Sequence, residues 1–266
     1  MGWGSYDVDS GYSRAATVYS TKSREETFSG RFDDEMNPKL FKKPRDSRDR
    51  DGEESYPIII ALDETGSMGH VPELLIKNVL PKIMESILNA GIKNPQICFM
   101  GIGDSVTGYE DAPLQVGQFE SDERIEKWLT MLYLEGLGAG NGHESYPLAW
   151  YFADRHVVTD AWEKRGIKGV LITIGDEPCQ MVLTKRELNQ YIDKSAEEVY
   201  VPDLLNSVKE RWNVFHIHCD GTGTYSFKNT NWESLLGINA VVSVDPKGYD
   251  IGDIIPSLIV SCYENR

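Results

Sequence analysis

From position 56 onward, the hydrophobic positions fall into two alternating patterns. The run Ile58-Ile59-Ile60-Ala61-Leu62 is short, apolar and largely β-branched, which reads as a strand buried on both faces at the centre of a parallel sheet. Further apolar runs at 97–102, 169–175, 214–219 and 240–244 read as additional strands, and 114–119 alternates apolar with polar residues as a half-exposed edge strand would. Between them, apolar residues recur at helical spacing. Leu75, Val79, Ile83 and Ile87 share one face of a helix over 72–88, with Pro81 as a bend and Gly91 as a stop. Ile125, Trp128, Leu129 and Leu132 do the same over 122–134, and helices are also expected over 146–156, 184–192, 202–212, 231–236 and 251–263. Such alternation predicts an α/β fold: a doubly wound, mostly parallel central sheet with helices on both faces and one antiparallel edge strand.

Residues 1–55 lack this periodicity. They are polar, and the stretch from Lys42 to Asp51 mixes charges of both signs, as a solvated arm or linker does. Tyr6, Tyr12, Tyr19, Phe28, Phe32 and Phe41 are too many aromatics for a fully disordered segment, so part of this arm is expected to lie against the domain formed by residues 56–266 or on a partner.

Charge changes the picture next. The chain carries a formal net charge of −15, with 27 Lys and Arg against 42 Asp and Glu. Residues 1–55 hold 10 of the basic and 12 of the acidic residues, so the acidity sits in the globular part. That composition argues against nucleic acid or an anionic membrane as partner, and favours cations or basic surfaces. The cysteines at 98, 179, 219 and 262 form no C-x-x-C pair and are expected as buried free thiols in a reducing compartment. With no signal-peptide pattern at the first residues and no apolar run of membrane-spanning length, a cytoplasmic location is the expectation.

The chemistry concentrates where strands end. Asp63, Asp104, Asp176, Asp220 and Asp245 each follow an apolar run, and in a parallel sheet ligands bind at the carboxyl ends of the strands. Turn-favouring residues belong at strand ends in any case, but hydroxyls accompany Asp63 and a second carboxylate, Glu177, follows Asp176. In Asp63-Glu64-Thr65-Gly66-Ser67, alternate residues of a tight strand-to-helix loop can turn their oxygens to one point. One carboxylate with two hydroxyls suits a hard dication such as Mg²⁺. The plainer reading makes Thr65 or Ser67 an N-cap of the next helix.

This Asp-x-(Ser/Thr)-x-Ser pattern resembles the metal-ion-dependent adhesion site of the von Willebrand factor A (vWA) family, and the resemblance extends over the order of elements from Tyr56 to the C-terminus. It implies a divalent cation (Mg²⁺, or Mn²⁺ or Ca²⁺) held by Asp63, Thr65 and Ser67 from a first loop and by Asp176 from a third. In the family a threonine from a second loop completes the set. Here that place falls at Gly142-His143-Glu144-Ser145, which has none, and Glu144 is the best positional match with His143 and Ser145 as neighbours. The resemblance further implies a non-enzymatic module that binds a protein partner, whose acidic residue completes the coordination shell. With Glu144 as a ligand the local charge falls and the attraction for such an acid weakens, so a closed structural site stays open as a reading.

Other features carry less. The loop 136–142 is glycine-rich like a phosphate cradle, but no Lys-Ser/Thr follows it. His216 and His218 face one side of a strand without a third ligand at suitable spacing, and read as packed, hydrogen-bonded histidines. His70 and Glu177 lie near the site as candidate hydrogen-bonding neighbours. A metal-dependent phosphohydrolase with Asp63 as nucleophile is the alternative function, but the residue two positions on is Thr65, which cannot serve as a general acid at neutral pH.

Overall fold

The computed structural model describes residues 4–105, 112–134, 144–221, 226–245 and 250–266. The glycine-rich loop 136–142 and His143 lie outside the described residues. Six strands make the central sheet: β1 (Ser55–Asp63), β2 (Asn94–Ile102), β3 (Leu114–Val116), β4 (Gly169–Gly175), β5 (Trp212–Cys219) and β6 (Val241–Val244). Their spatial order is β6-β5-β4-β1-β2-β3, all parallel except β3, which pairs antiparallel with β2 at the edge. The expected mixed α/β sheet and its antiparallel edge strand are therefore present. β3 ends three residues earlier than the alternation at 114–119 suggested; beyond it Gly117 N–H bonds the Phe99 carbonyl and Glu120 exchanges a pair of backbone bonds with Ile97 as an isolated bridge.

The helices that accompany the sheet include α1 (Val8–Arg14), α2 (Leu80–Asn89), α3 (Arg124–Thr130), α4 (Pro147–Arg155), α5 (Val201–Arg211) and α6 (Ile251–Glu264). Because strand side chains alternate between faces, β1 supplies two cores. Ile58, Ile60 and Leu62 pack in one apolar layer with Ile83, Met84 and Ile87 of α2, Leu129 of α3 and Ile255 of α6. Ile59 and Ala61 pack in the other with Trp150 of α4, Leu205 of α5 and Trp232. Every residue of β1 is buried, as its unbroken apolar run requires.

The helix expected over 72–88 is instead three pieces. A helical turn at His70–Leu74 runs into a wider turn at Leu75–Val79, closed by Leu80 N–H to the Leu75 carbonyl, and α2 follows. Pro81 is the cause: it has no N–H for a carbonyl four residues back, and its ring would strike that carbonyl. Widening the preceding turn places Pro81 in the first turn of α2, where the missing donor costs nothing.

Residues 4–55 are built into the same body. Asp7 caps α1 by accepting from Ser10 N–H at 3.0 Å. Tyr6, Phe28 and Met36 are buried in the layer that contains α2 and α3. The mixed-charge stretch is no free linker: Arg45–Ser47 pairs in parallel with Val157–Thr159, Arg48 meets Asp160 at 2.8 Å and Asp49 meets Arg165 at 2.8 Å. Charges of both signs look solvated in one dimension. Here they complement the charges of the helix Asp160–Arg165. Among the described residues no helix is long and apolar enough to cross a membrane, and all four cysteines are free thiols. Because Phe28 belongs to the main core, Phe28→Ala should destabilise the whole protein by about 3 kcal/mol in equilibrium urea unfolding; a change below about 0.5 kcal/mol would mean the segment is an accessory to the fold.

Candidate functional site

β1 and β4 lie side by side, but the chain leaves β1 for β2 on one flank and β4 for β5 on the other. That reversal of direction opens a crevice at the carboxyl ends of the two strands, the place where open α/β sheets bind ligands. Asp63 ends β1, and Asp176 is the first residue beyond β4. The register sets Leu62 opposite Ile174, so Asp63 stands opposite Gly175 and Asp176 follows one residue beyond. Both carboxylates are fully buried.

The loop after Asp63 holds its carboxylate from one side. Asp63 Oδ1 accepts from Thr65 N–H at 3.0 Å and from Thr65 Oγ1 at 2.6 Å. Thr65 Oγ1 lies 3.5 Å from Ser67 Oγ. Thr65 is buried, while Gly66 and Ser67 are exposed at the crest of the loop. The structure thus brings Asp63, Thr65 and Ser67 together, as alternate residues of the loop. His70 Nδ1 lies 3.2 Å from the Ser67 carbonyl oxygen, fastening the next turn.

Tyr146, which the sequence pattern did not single out, holds Asp63 from the other side. Its hydroxyl donates to Asp63 Oδ2 at 2.7 Å and accepts from Glu177 N–H at 3.3 Å. The ring fits only because β4 ends in glycine: a Cβ on Gly175 would sit 2.0 Å from the Tyr146 hydroxyl. Trp232 stands edge-on to Tyr146 at 5.1 Å and donates its indole N–H to the Glu177 carbonyl at 2.9 Å. His216 stacks on Trp232 at 3.5 Å, with its Nδ1 2.9 Å from Thr173 Oγ1. The signals available in sequence were slight: Tyr146 immediately precedes Pro147, the first residue of α4, and Gly175 immediately precedes Asp176.

Electrostatics follow from burial. The Asp63 carboxyl is raised well above the ordinary carboxylate range, first by loss of water and then by the charge of Asp176; the bonds from Thr65 and Tyr146 oppose the rise. The Tyr146 phenol is pushed up as well, by burial and then by the Asp63 charge, and stays a neutral donor. Burial lowers His216 far below its usual value and takes His218 down to about 4, so both rings are neutral at physiological pH.

Of the second loop, Glu144 and Ser145 are described. Among the described residues no group of three or more His, Cys, Asp or Glu side chains could hold a metal ion. Glu144 forms a backbone bridge with Cys179. The Ser145 hydroxyl is taken up by Ser105 at 2.7 Å, which in turn donates to Glu187. Of the two histidines expected to be hydrogen-bonded, His216 is, whereas among the described residues neither ring nitrogen of His218 has a hydrogen-bond partner; its ring packs 5.3 Å from Phe227. Asp220 accepts from Phe227 N–H at 2.9 Å and serves the loop after β5.

The oxygens at the crevice suit a hard dication. Two carboxylates cancel a double positive charge, and an octahedral Mg²⁺ shell has oxygen–oxygen edges of about 3 Å. The Asp63–Thr65 and Thr65–Ser67 separations, 2.6 and 3.5 Å, bracket that edge.

No protein-family model matches the chain, and no curated protein matches it in sequence. Among solved structures it is similar to the pilus adhesin SpaC from Lactobacillus rhamnosus GG, with a TM-score of 0.52 and 12% identity over 84% of this chain. The chain spans 32% of that adhesin's length. Proximal thread matrix protein 1 from the mussel byssus aligns at a TM-score of 0.47 and 9% identity, over 79% of this chain and 49% of the other. At such identities the likeness to the adhesin is one of fold alone.

A carboxyl whose folded-state pKa is raised contributes stability that is complete at low pH and is lost as pH rises from the ordinary carboxylate range through the raised value. Asp63→Asn removes that loss. In chelator-treated protein the variant should therefore be more stable than wild type at pH 8, by roughly 1–3 kcal/mol, and the gap should close toward pH 4. Urea unfolding across pH tests it, and a variant less stable than wild type at pH 8 would show that the carboxylates do not oppose folding.

Proposed function

We propose that this chain is a non-enzymatic protein-binding module on a doubly wound vWA-type fold, and that it works through a divalent cation, Mg²⁺ or Mn²⁺, in the crevice between β1 and β4. The observation that carries this reading is the pair of fully buried carboxylates, Asp63 and Asp176, on adjacent strands at the reversal point of the sheet. The charge of Asp176 opposes the ionisation of Asp63, and a dication between them removes that opposition. Asp63, Thr65, Ser67 and Asp176 would hold the ion, with Glu144 at the place of the family's second-loop ligand. When bound, the ion supplies an open position that attracts an anionic group of a partner. Gly66 and Ser67 give the crest of the loop to solvent, where such a group arrives.

A hydrolase with Asp63 as nucleophile draws less support. Both Asp63 oxygens already accept hydrogen bonds, from Thr65 and from Tyr146, and the side chain is fully buried. The pilus adhesin's name agrees with a binding role, but a likeness of fold at 12% identity does not transfer that role.

A ligand that binds only the folded state stabilises it by about 2.7 kcal/mol at a hundredfold excess over its dissociation constant. Saturating Mg²⁺ or Mn²⁺ should accordingly raise the melting temperature of wild type by roughly 5–10 °C and leave Asp63→Asn unmoved. Differential scanning calorimetry reads both, and an equal response of the two proteins would remove the cation from the crevice.

A further inference from the structure

Residues 4–55 do more than fill the core: they place a guanidinium beside the loop that follows β1. Ser23 caps a short helix, Arg24–Thr27, through a reciprocal pair of bonds with Glu26. Arg24, its first residue, reaches the turn that follows Ser67. The Arg24 Nε donates to Glu73 Oε1 at 2.7 Å. Lys77 anchors the same edge by donating to Glu73 Oε2 at 3.3 Å and to the Lys22 carbonyl at 2.9 Å. The guanidinium then lies flat on Gly69. A Cβ at that position would meet Arg24 Nη2 at 2.5 Å, Nη1 at 2.6 Å and Cζ at 2.8 Å. Neither terminal nitrogen makes a hydrogen bond to the described residues, and the side chain keeps a third of its surface exposed.

Gly69 is two residues beyond Ser67, which limits their Cα separation to about 7 Å. Its backbone is helical, with φ −57° and ψ −14°, so glycine is not needed there for conformation. What glycine provides is room for the guanidinium. A salt bridge to Glu73 alone would require no such vacancy, since Glu73 lies one turn further along the helix.

We propose that Arg24 is a recognition residue for the partner: its free terminal nitrogens pair with the carboxylate that the cation attracts. This inference rests on the cation-site reading above and names the chemistry of what that site binds. A guanidinium offers two parallel donors in a plane, which match the two oxygens of a carboxylate. The chain as a whole repels acidic partners, carrying a net charge of −15. A cation fixed at the mouth by Glu73 offsets that repulsion where the partner's acidic side chain arrives.

The test uses full-length protein loaded with Mn²⁺ and acetate as the probe, with acetate affinity read from water proton relaxation of the bound Mn²⁺. Arg24→Ala should weaken acetate binding roughly three- to fivefold, the scale of one exposed charge-assisted pair, while Mn²⁺ affinity in acetate-free buffer is not reduced. Gly69→Ala is the second variant: it keeps Arg24 and a helical backbone but drives the flexible guanidinium aside, and should weaken acetate binding in the same direction. Acetate affinity unchanged in both, with Mn²⁺ still bound, overturns the role of Arg24 and leaves the cation site standing. Failure of wild type to bind Mn²⁺ overturns the cation site and this inference with it.

Discussion

Two carboxylates removed from water at the ends of adjacent strands oppose folding, and much of the surrounding structure keeps them in place. Asp63 is held by Thr65 on one side and by Tyr146 on the other. Tyr146 is held in turn by Glu177 N–H and by the edges of Trp232 and His216. Trp232 closes the circuit by donating to the Glu177 carbonyl. The strands, the loop after β4, the start of α4 and the helix carrying Trp232 therefore meet at a single charged point. A protein that only needed stability would place apolar groups there, and the proposed cation site is one reason to keep the charges.

Small residues decide how close the pieces come. Gly175 leaves room for the Tyr146 ring over the end of β4, and Gly101 leaves room for the Glu64 side chain, whose Oε2 would lie 2.3 Å from a Cβ there. Glu64 is buried on the opposite face from Asp63, accepting from Gln115 of β3. The loop between β1 and the following helix is thereby pinned on both faces of the sheet, with Gly66 and Ser67 left to solvent. The same logic applies at Gly69, where the vacancy is filled by Arg24 from the N-terminal segment. That segment is a structural neighbour of the crevice as well as part of the core, through Phe28 and Met36.

Much of this architecture is legible in one dimension because its causes are local. The β-branched run at 58–62 can only be a buried strand, and Asp63, Thr65 and Ser67 sit together because residues two apart on a tight loop cannot be far apart. Pro81 announced a disturbance in its helix, and the widened turn at Leu75–Val79 is how the backbone accommodates a residue without an N–H. Hydrophobic period and loop chemistry travel with the sequence itself, so strands, helices and the first half of the site could be read from it.

Only the tertiary structure decided which distant groups meet. Tyr146 reaches Asp63 across 83 positions of chain, and no local pattern marks a tyrosine before a proline as a partner for a carboxylate. Glu144 bridges Cys179 through its backbone and Ser145 shares a hydroxyl pair with Ser105, contacts set by packing that counting along the chain does not reveal. The mixed charges of residues 42–51 read as solvated until Asp160, Glu163 and Arg165 are placed opposite them. Periodicity records which face of an element is apolar, whereas long-range pairing depends on how faces, glycine vacancies and buried charges fit together in space, and that fit has no signature along a single chain.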